Sequence, residues 1–153
     1  METIIITNSE DETFQLGIRL ASVLKMGDII TLSGSLGAGK TSLVHGIGKG
    51  LGIQDAMPSP TFAIMRSYPL HPHGELLHLD AYRLQQQDTD HGLDEPSSQS
   101  ILCVEWAEHI PLLFQQACLF IQLHVIGPSQ RHIRLTYHDI RFQKVLEHDD
   151  TRA

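Results

Sequence analysis

The segment GSLGAGKTS, residues 34–42, constrains the fold of this chain more than any other part of its sequence. It matches the pattern G-x-x-x-x-G-K-[ST], with the required residues at Gly34, Gly39, Lys40 and Thr41. The apolar run IITLS precedes it and residues at helical spacing follow it, which is the strand, loop and helix context that the pattern needs. A flexible glycine turn does not explain why a lysine and a hydroxyl open the helix. The sequence therefore predicts a phosphate-binding loop in an α/β fold.

The chemistry of this loop is anion capture. Glycines let successive backbone N–H groups point inward, and the start of the helix at Lys40 carries about half a positive charge. The Lys40 ammonium can reach the β- and γ-phosphates of a nucleotide, and the Thr41 hydroxyl is a hard oxygen donor suited to Mg²⁺. We expect the loop to bind a polyphosphate together with Mg²⁺.

Two acidic residues end apolar runs elsewhere in the chain. Asp80 closes LLHLD, and Glu105 closes ILCVE. Ligands of open α/β sheets bind beyond the carboxyl ends of the strands, so both carboxylates are candidates to face the loop and to help hold Mg²⁺. The alternative for each is a capping or turn carboxylate at a strand end.

Composition limits the classes of function. The chain has 153 residues and a net charge of −7, which makes it unsuited to bind RNA alone, and it contains no apolar run long enough to cross a membrane. Residues 1–12 do not match the pattern of a secretion signal, and Cys103 and Cys118 lie in apolar runs. We expect a cytoplasmic protein without a cysteine-bound metal. The ten histidines are scattered, and HPHG at 71–74 is typical of a turn.

The order of predicted elements indicates the architecture. TIIIT predicts a strand, Ser9 and Glu12 form a capping box before a helix over about 10–25, and IITLS predicts a buried strand. A second helix after the loop buries the face formed by Leu43, Val44, Ile47 and Leu51. A short helix near 107–116, a hairpin of CLFIQLHVI with HIRLTYH, and a helix from about 139 with a frayed acidic end follow. We predict one domain, residues 1–153, with a three-layer α/β fold of the P-loop NTPase type, a mixed central sheet and a C-terminal antiparallel hairpin.

Four motifs together resemble one family. GSLGAGKTS, SPTF at 59–62, HLDAYRL at 78–84 and VEW at 104–106 are similar, in order and spacing, to the TsaE family of small bacterial ATPases, formerly called YjeE. The resemblance implies a partner-stimulated, Mg²⁺-dependent ATPase with slow intrinsic turnover. It implies a role in forming threonylcarbamoyladenosine at adenosine 37 of tRNA, by acting on the TsaD and TsaB proteins. Contact with tRNA would be only indirect, through that complex, and no membrane is implied.

The resemblance also implies roles for individual residues. Lys40 and Thr41 would bind phosphate and Mg²⁺, Glu105 would be the second metal ligand or the catalytic carboxylate, and Asp80 would support them through water. Trp106 could be a core residue or a partner contact. The implied nucleotide-binding residues are Ser9, Gly34, Ser35, Leu36, Gly37, Ala38, Gly39, Lys40, Thr41 and Ser42. The implied switch residues are Ser59, Pro60, Thr61 and Phe62. A plain helix cap explains Ser9 as well, and an ordinary turn explains the prolines.

This chain departs from the family pattern in two places. Ser35 stands where the family usually has an acid, so the charge of that residue is absent, and we expect hydrolysis to persist at a slower rate. QQQDTDHG at 85–92 replaces an acid-rich segment, which weakens the resemblance at that surface without touching the nucleotide site.

Other classes of nucleotide protein fit the residues less well. A small-molecule or nucleoside kinase needs cations around the transferred phosphoryl group, but the only lysines and arginines between 42 and 130 are Lys49, Arg66 and Arg83. A GTPase would carry an N/T-K-x-D guanine signature, which the sequence lacks. A binding module without catalysis remains open, since isolated phosphate loops often turn over slowly.

Overall fold

The structure is a computed structural model of the chain and describes residues 1–54, 65–82, 98–110 and 115–147. In this part of the chain, seven strands form one mixed sheet in the order β1-β7-β6-β2-β5-β4-β3. The strands are β1 Glu2–Thr7, β2 Ile29–Ser33, β3 Met65–Pro69, β4 Glu75–Asp80, β5 Ser100–Glu105, β6 Leu119–Val125 and β7 Arg131–Tyr137.

The strands of the sheet pair in both directions. The central strands β6, β2, β5 and β4 are parallel, whereas β3 pairs with β4, and β7 with β6 and β1, in antiparallel fashion. The predicted mixed sheet and the C-terminal hairpin of β6 and β7 are therefore confirmed. The predicted turn at 71–74 also lies where expected, between β3 and β4, with Gly74 at a φ of 88°.

Three helices flank the sheet in the described residues: α1 Glu10–Ala21, α2 Lys40–Gly50 and α3 Ile140–Glu147. None of the helices there is long and apolar enough to span a membrane. The prediction of a first helix over about 10–25 is wrong at its end. The Asp28 side chain accepts a hydrogen bond from the backbone N–H of Lys25, and this polar turn replaces the last helical turn.

Two predictions for the second half fall partly outside the described residues. Near 107–116 the structure has a 3₁₀ turn at Ala107–His109, and residues 111–114 are not described. The predicted C-terminal helix is present as α3, and the acidic end at 148–153 lies outside the described residues.

Helices α1 and α2 pack backbone against backbone through glycines. A Cβ atom at Gly46 would lie 2.0 Å from the carbonyl oxygen of Phe14, and one at Gly17 would lie 2.3 Å from that of Leu43. No side chain fits at either contact, because real Cβ atoms do not approach so closely. This contact fixes the start of α2 beside the start of α1.

Apolar clusters cover both faces of the sheet. On the face of the three helices, the core contains leucines and isoleucines of the strands together with Leu20, Leu43 and Ile47. On the opposite face, Leu79, Leu102 and Val104 pack with Ala107. Since β2, β4 and β5 are parallel, their carboxyl ends meet at one edge, where residues 34–39 connect β2 to α2.

Candidate functional site

The loop at residues 34–39 has the backbone that its glycines allow. Gly34 has a φ of 147°, and a Cβ atom there would lie 2.5 Å from the carbonyl oxygen of Leu123. Gly39 is the N-cap residue of α2 with a φ of 105°, and no side chain caps the helix. The first N–H groups of an α-helix have no acceptor within the helix. The start of α2 is therefore available to an anion.

Lys40 places its ammonium group against the loop. The side chain is buried, and Nζ donates hydrogen bonds to the carbonyl oxygens of Gly34 and, at 3.2 Å, of Ser35. Burial lowers the pKa of Lys40, while the charges of Glu105, Glu108 and Asp80 act in the opposite direction. Backbone dipoles hold this cation in place.

Trp106 covers the same ammonium group. Its ring centroid lies 3.9 Å from Lys40 Nζ, and its ring also packs against Tyr82, with centroids 5.0 Å apart. Its backbone is left-handed, with a φ of 60°, which is uncommon for a large side chain. From the sequence, Trp106 could be a core residue or a partner contact. In the structure its ring also contacts Lys40 of the loop.

Glu105 lies at the end of β5 and is 4% exposed. The Thr41 hydroxyl donates a hydrogen bond to its Oε1 atom at 3.2 Å, and His78 Nε2 lies 2.5 Å from its Oε2 atom. The pairing of β2 with β5, which aligns Leu32 with Glu105, brings the carboxylate to the loop.

The pair of Thr41 and Glu105 fits Mg²⁺. A hydroxyl and a carboxylate within 3.2 Å of each other are hard oxygen donors, and Mg²⁺ is usually held by one or two carboxylates besides phosphate oxygens and water. In the described ranges, no group of three or more histidine, cysteine, aspartate or glutamate side chains is arranged to hold a metal. The donor set therefore suits a Mg²⁺ ion that a bound phosphate helps to hold.

Asp80 occupies a different local environment from Glu105, although β4 and β5 align the two residues directly. Its Oδ1 atom accepts a hydrogen bond from the backbone N–H of Tyr82 at 2.9 Å, so it serves as a turn carboxylate at the strand end. It still lies close enough to influence the charge of Lys40. Its predicted role through water stays a prediction.

The start of α1 lies beside the loop. Ser9 caps α1 by accepting a hydrogen bond from the Glu12 N–H at 3.1 Å, which is the alternative that the sequence left open. The Ser42 hydroxyl donates to Glu10 Oε1 at 2.9 Å and ties the two helix starts together. A contact of Ser9 with a base stays a prediction.

The remaining predicted residues differ in exposure. Leu36 is 72% exposed at the tip of the loop, Ser35 and Gly37 are also exposed, and Ala38 is buried. The predicted switch at 59–62 lies outside the described residues.

Two residues that contact the site, His78 and Arg131, were not among the residues predicted from the sequence. His78 lies two residues before Asp80 on β4, and the period of a strand could have placed it on the same face. Arg131 starts β7 and donates hydrogen bonds to the carbonyl oxygens of Ala38 at 3.0 Å and Gly37 at 3.2 Å. No local pattern marks Arg131, because its partners lie far away in the sequence.

Comparison with known proteins gives consistent matches. A family model described as "Threonylcarbamoyl adenosine biosynthesis protein TsaE" matches residues 7–133. The tRNA threonylcarbamoyladenosine biosynthesis protein TsaE of Streptomyces coelicolor is 49% identical over 100 residues, which cover 61% of this chain and 66% of that protein. The protein of the same name from Bacillus subtilis is 36% identical over 147 residues, which cover 92% of this chain and 89% of that protein.

A solved structure is similar along nearly the whole chain. The crystal structure of Bacillus subtilis YdiB superposes with a TM-score of 0.74 and 32% sequence identity, covering 97% of this chain and 93% of that chain. The predicted fold class is therefore confirmed.

Proposed function

This chain belongs to the TsaE family, and from that premise we propose that it is a Mg²⁺-dependent ATPase that supports threonylcarbamoyladenosine formation in tRNA. The observation that carries the proposal is the meeting of Lys40, Thr41 and Glu105 at the uncapped start of α2. An ammonium, a hydroxyl and a carboxylate at the start of a helix are groups suited to bind a nucleoside triphosphate with Mg²⁺.

Each group has a separate task in this proposal. The N–H groups at the start of α2 bind the phosphates, and Lys40 neutralises the charge of the β- and γ-phosphates. Thr41 and Glu105 hold Mg²⁺, or Glu105 acts as the catalytic carboxylate. Bound Mg²⁺ would neutralise phosphate charge as hydrolysis proceeds. Ser9 and residues 34–42 surround the nucleotide, and residues 59–62 respond to its terminal phosphate.

We propose slow intrinsic turnover and stimulation by partner proteins. Fast phosphoryl transfer in this class of protein depends on an arginine directed at the phosphates. The Arg131 guanidinium contacts the loop from its carbonyl side and donates to four backbone oxygens, those of Gly37, Ala38, Gly127 and Gln130. This supports a need for a group supplied by a partner.

The partners in this proposal are TsaD and TsaB, and the protein resets their complex between rounds of tRNA modification in the cytoplasm. The net charge of −7 supports indirect rather than direct contact with tRNA. Ser35, in place of the usual acid, should slow hydrolysis without abolishing nucleotide binding.

The test is a reconstituted reaction with the purified protein, ATP, Mg²⁺, tRNA, threonylcarbamoyl-adenylate and the TsaD and TsaB pair. We expect adding the protein to convert a single round of tRNA modification into many. Glu105→Ala should remove Mg²⁺-dependent ATP hydrolysis and keep part of the nucleotide binding. Hydrolysis at the kinase-like rate of about 1–100 per second by the protein alone would contradict the proposal.

A further inference from the structure

We propose that His78 is a positioning residue that holds the Glu105 carboxylate in the orientation needed at the nucleotide site. The inference rests on the proposed function, because it concerns Glu105 as a ligand of Mg²⁺. His78 itself does not reach the nucleotide in this proposal. It acts through a single hydrogen bond.

The burial and contacts of His78 carry the inference. The side chain is 0% exposed, and its Nε2 atom lies 2.5 Å from Glu105 Oε2. Because a carboxylate oxygen can only accept, Nε2 is the donor. Among the described residues, the other ring nitrogen has no hydrogen-bond partner. In that part of the chain, Glu105 therefore accounts for the polar contact of a buried imidazole.

The two oxygens of Glu105 differ in their contacts. The Thr41 hydroxyl lies 3.2 Å from Oε1 and 3.5 Å from Oε2, so Oε1 is its nearer partner, while Oε2 also contacts His78 Nε2 at 2.5 Å. A glutamate side chain has several rotatable bonds, and Thr41 contacts the carboxylate through one hydroxyl oxygen, which does not determine the plane of the carboxylate. The contact of His78 with Oε2 removes that freedom.

Strand register places His78 behind the carboxylate. The pairing of β4 with β5 aligns Asp80 with Glu105 and His78 with Cys103. His78 thus lies one step back along the strand on the same face, between the site and the core. Because the His78 ring is fully buried on a strand, it holds one position, and its hydrogen bond keeps Glu105 Oε2 at that position.

The test compares nucleotide affinity with and without Mg²⁺. Calorimetry with a non-hydrolysable ATP analogue gives the factor by which Mg²⁺ tightens binding. His78→Leu removes the donor, whereas His78→Gln keeps an amide N–H near the position of Nε2. We expect His78→Leu to change affinity in EDTA by less than about twofold and to reduce the Mg²⁺ factor about tenfold or more. His78→Gln should restore most of that factor.

A second variant and a matched control separate positioning from stability. His78→Asn keeps a polar group that is too short to reach Oε2, so it tests the contact even if His78→Leu does not fold. Leu76→Ala changes a buried residue on the same strand and face. It should lower the melting temperature and leave the Mg²⁺ factor unchanged.

The outcomes distinguish this inference from the proposed function. If Glu105→Ala keeps the full Mg²⁺ factor, Glu105 is not a ligand of Mg²⁺, and the inference is wrong together with that role. If Glu105→Ala loses the factor while His78→Leu and His78→Asn keep it, only the inference is wrong. When Glu105 is already alanine, His78→Leu should cause no further loss of the factor, and an additional loss would show that His78 does not act through Glu105.

Discussion

Two polar clusters lie at opposite ends of strand β2. The carboxyl-end cluster consists of Lys40, Thr41, His78 and Glu105. The amino-end cluster consists of Asp28, Cys118, Asp139 and Arg141. Apart from the exposed Asp139, the members of both clusters are buried or half-buried. Each cluster combines a cation with at least one acid, but the charges are held in different ways.

In the amino-end cluster the charges satisfy each other. Arg141 binds Asp28 through two parallel hydrogen bonds of 2.8 Å, and its Nε atom lies 3.1 Å from Asp139 Oδ2. Asp28 also accepts a hydrogen bond from the backbone N–H of Lys25, and Arg141 also donates one to the carbonyl oxygen of Val23. A planar pair with this geometry needs no external partner.

In the carboxyl-end cluster the cation is held by dipoles. The Lys40 ammonium donates to two loop carbonyls and lies over the Trp106 ring, and burial lowers its pKa. The acid Glu105 is held by a hydroxyl and an imidazole. The difference teaches that the charges of one cluster pair with each other, while the cation and the acid of the other are held by backbone carbonyls, an aromatic ring, a hydroxyl and an imidazole.

The largest expected effect is the loss of ATP affinity when a substitution breaks the carboxyl-end cluster. Lys40→Ala should weaken ATP binding on the order of 1000-fold, about 4 kcal/mol, because charged hydrogen bonds to phosphate are lost in a buried site. It should also abolish support of tRNA modification. Calorimetry measures the affinity, and Lys49→Ala on the exposed end of the same helix is the control. If Lys40→Ala retained full affinity, the loop would have a different role.

The next largest expected effect is a loss of stability when a substitution breaks the amino-end cluster. Arg141→Met should lower the free energy of unfolding by about 3 kcal/mol, because it leaves Asp28 buried without its cation. Nucleotide affinity should stay the same. Urea unfolding measures the first quantity, and adding Asp28→Leu should recover much of the stability. A large loss of nucleotide affinity in Arg141→Met would remove the contrast between the clusters.

The thiol beside Asp28 sharpens the comparison. Burial, with a smaller effect of the Asp28 charge, raises the pKa of Cys118 from 9.0 to about 11. Since only the thiolate reacts, alkylation of the folded protein at pH 8 should be on the order of 100-fold slower than that of an unperturbed cysteine. The unfolded chain releases this proton more easily, so the stability contributed by the thiol should fall as the pH rises from about 9 to about 11.

Labelling with iodoacetamide and mass spectrometry measures the rate at each pH. Rapid modification of Cys118 in the folded protein at pH 7 would contradict the closed character of the amino-end cluster.

The smallest expected effect concerns the support of the loop. Arg131→Ala should weaken nucleotide binding about tenfold, because the hydrogen bonds that order the carbonyls of Gly37 and Ala38 are lost. Arg134→Ala on the same strand removes only an exposed contact to Glu2 and serves as the control. Equal affinities of the two variants would show that the loop holds its shape without Arg131.

Local patterns predicted the parts of the fold that depend on neighbouring residues. The strand IITLS, the N-cap at Ser9 and the helix that begins at Lys40 all lie where the sequence places them. Glu12, the other residue of the predicted capping box, accepts a hydrogen bond from the backbone N–H of Asn8. The end of the first helix was mispredicted, because its apolar spacing continues to Leu24 while the Asp28 side chain draws the chain into a turn. Periodicity does not detect such a competing hydrogen bond.

The sequence alone determined the loop, the elements around it and two candidate acids, because glycine spacing and hydrophobic period act over a few residues. Only the tertiary structure decided that Glu105 contacts Thr41, 64 positions away, while Asp80 accepts a hydrogen bond from the nearby backbone N–H of Tyr82. The contact of Arg131 with Ala38 spans 93 positions. Such contacts depend on strand order and register, which arise from packing of the whole sheet and leave no local pattern.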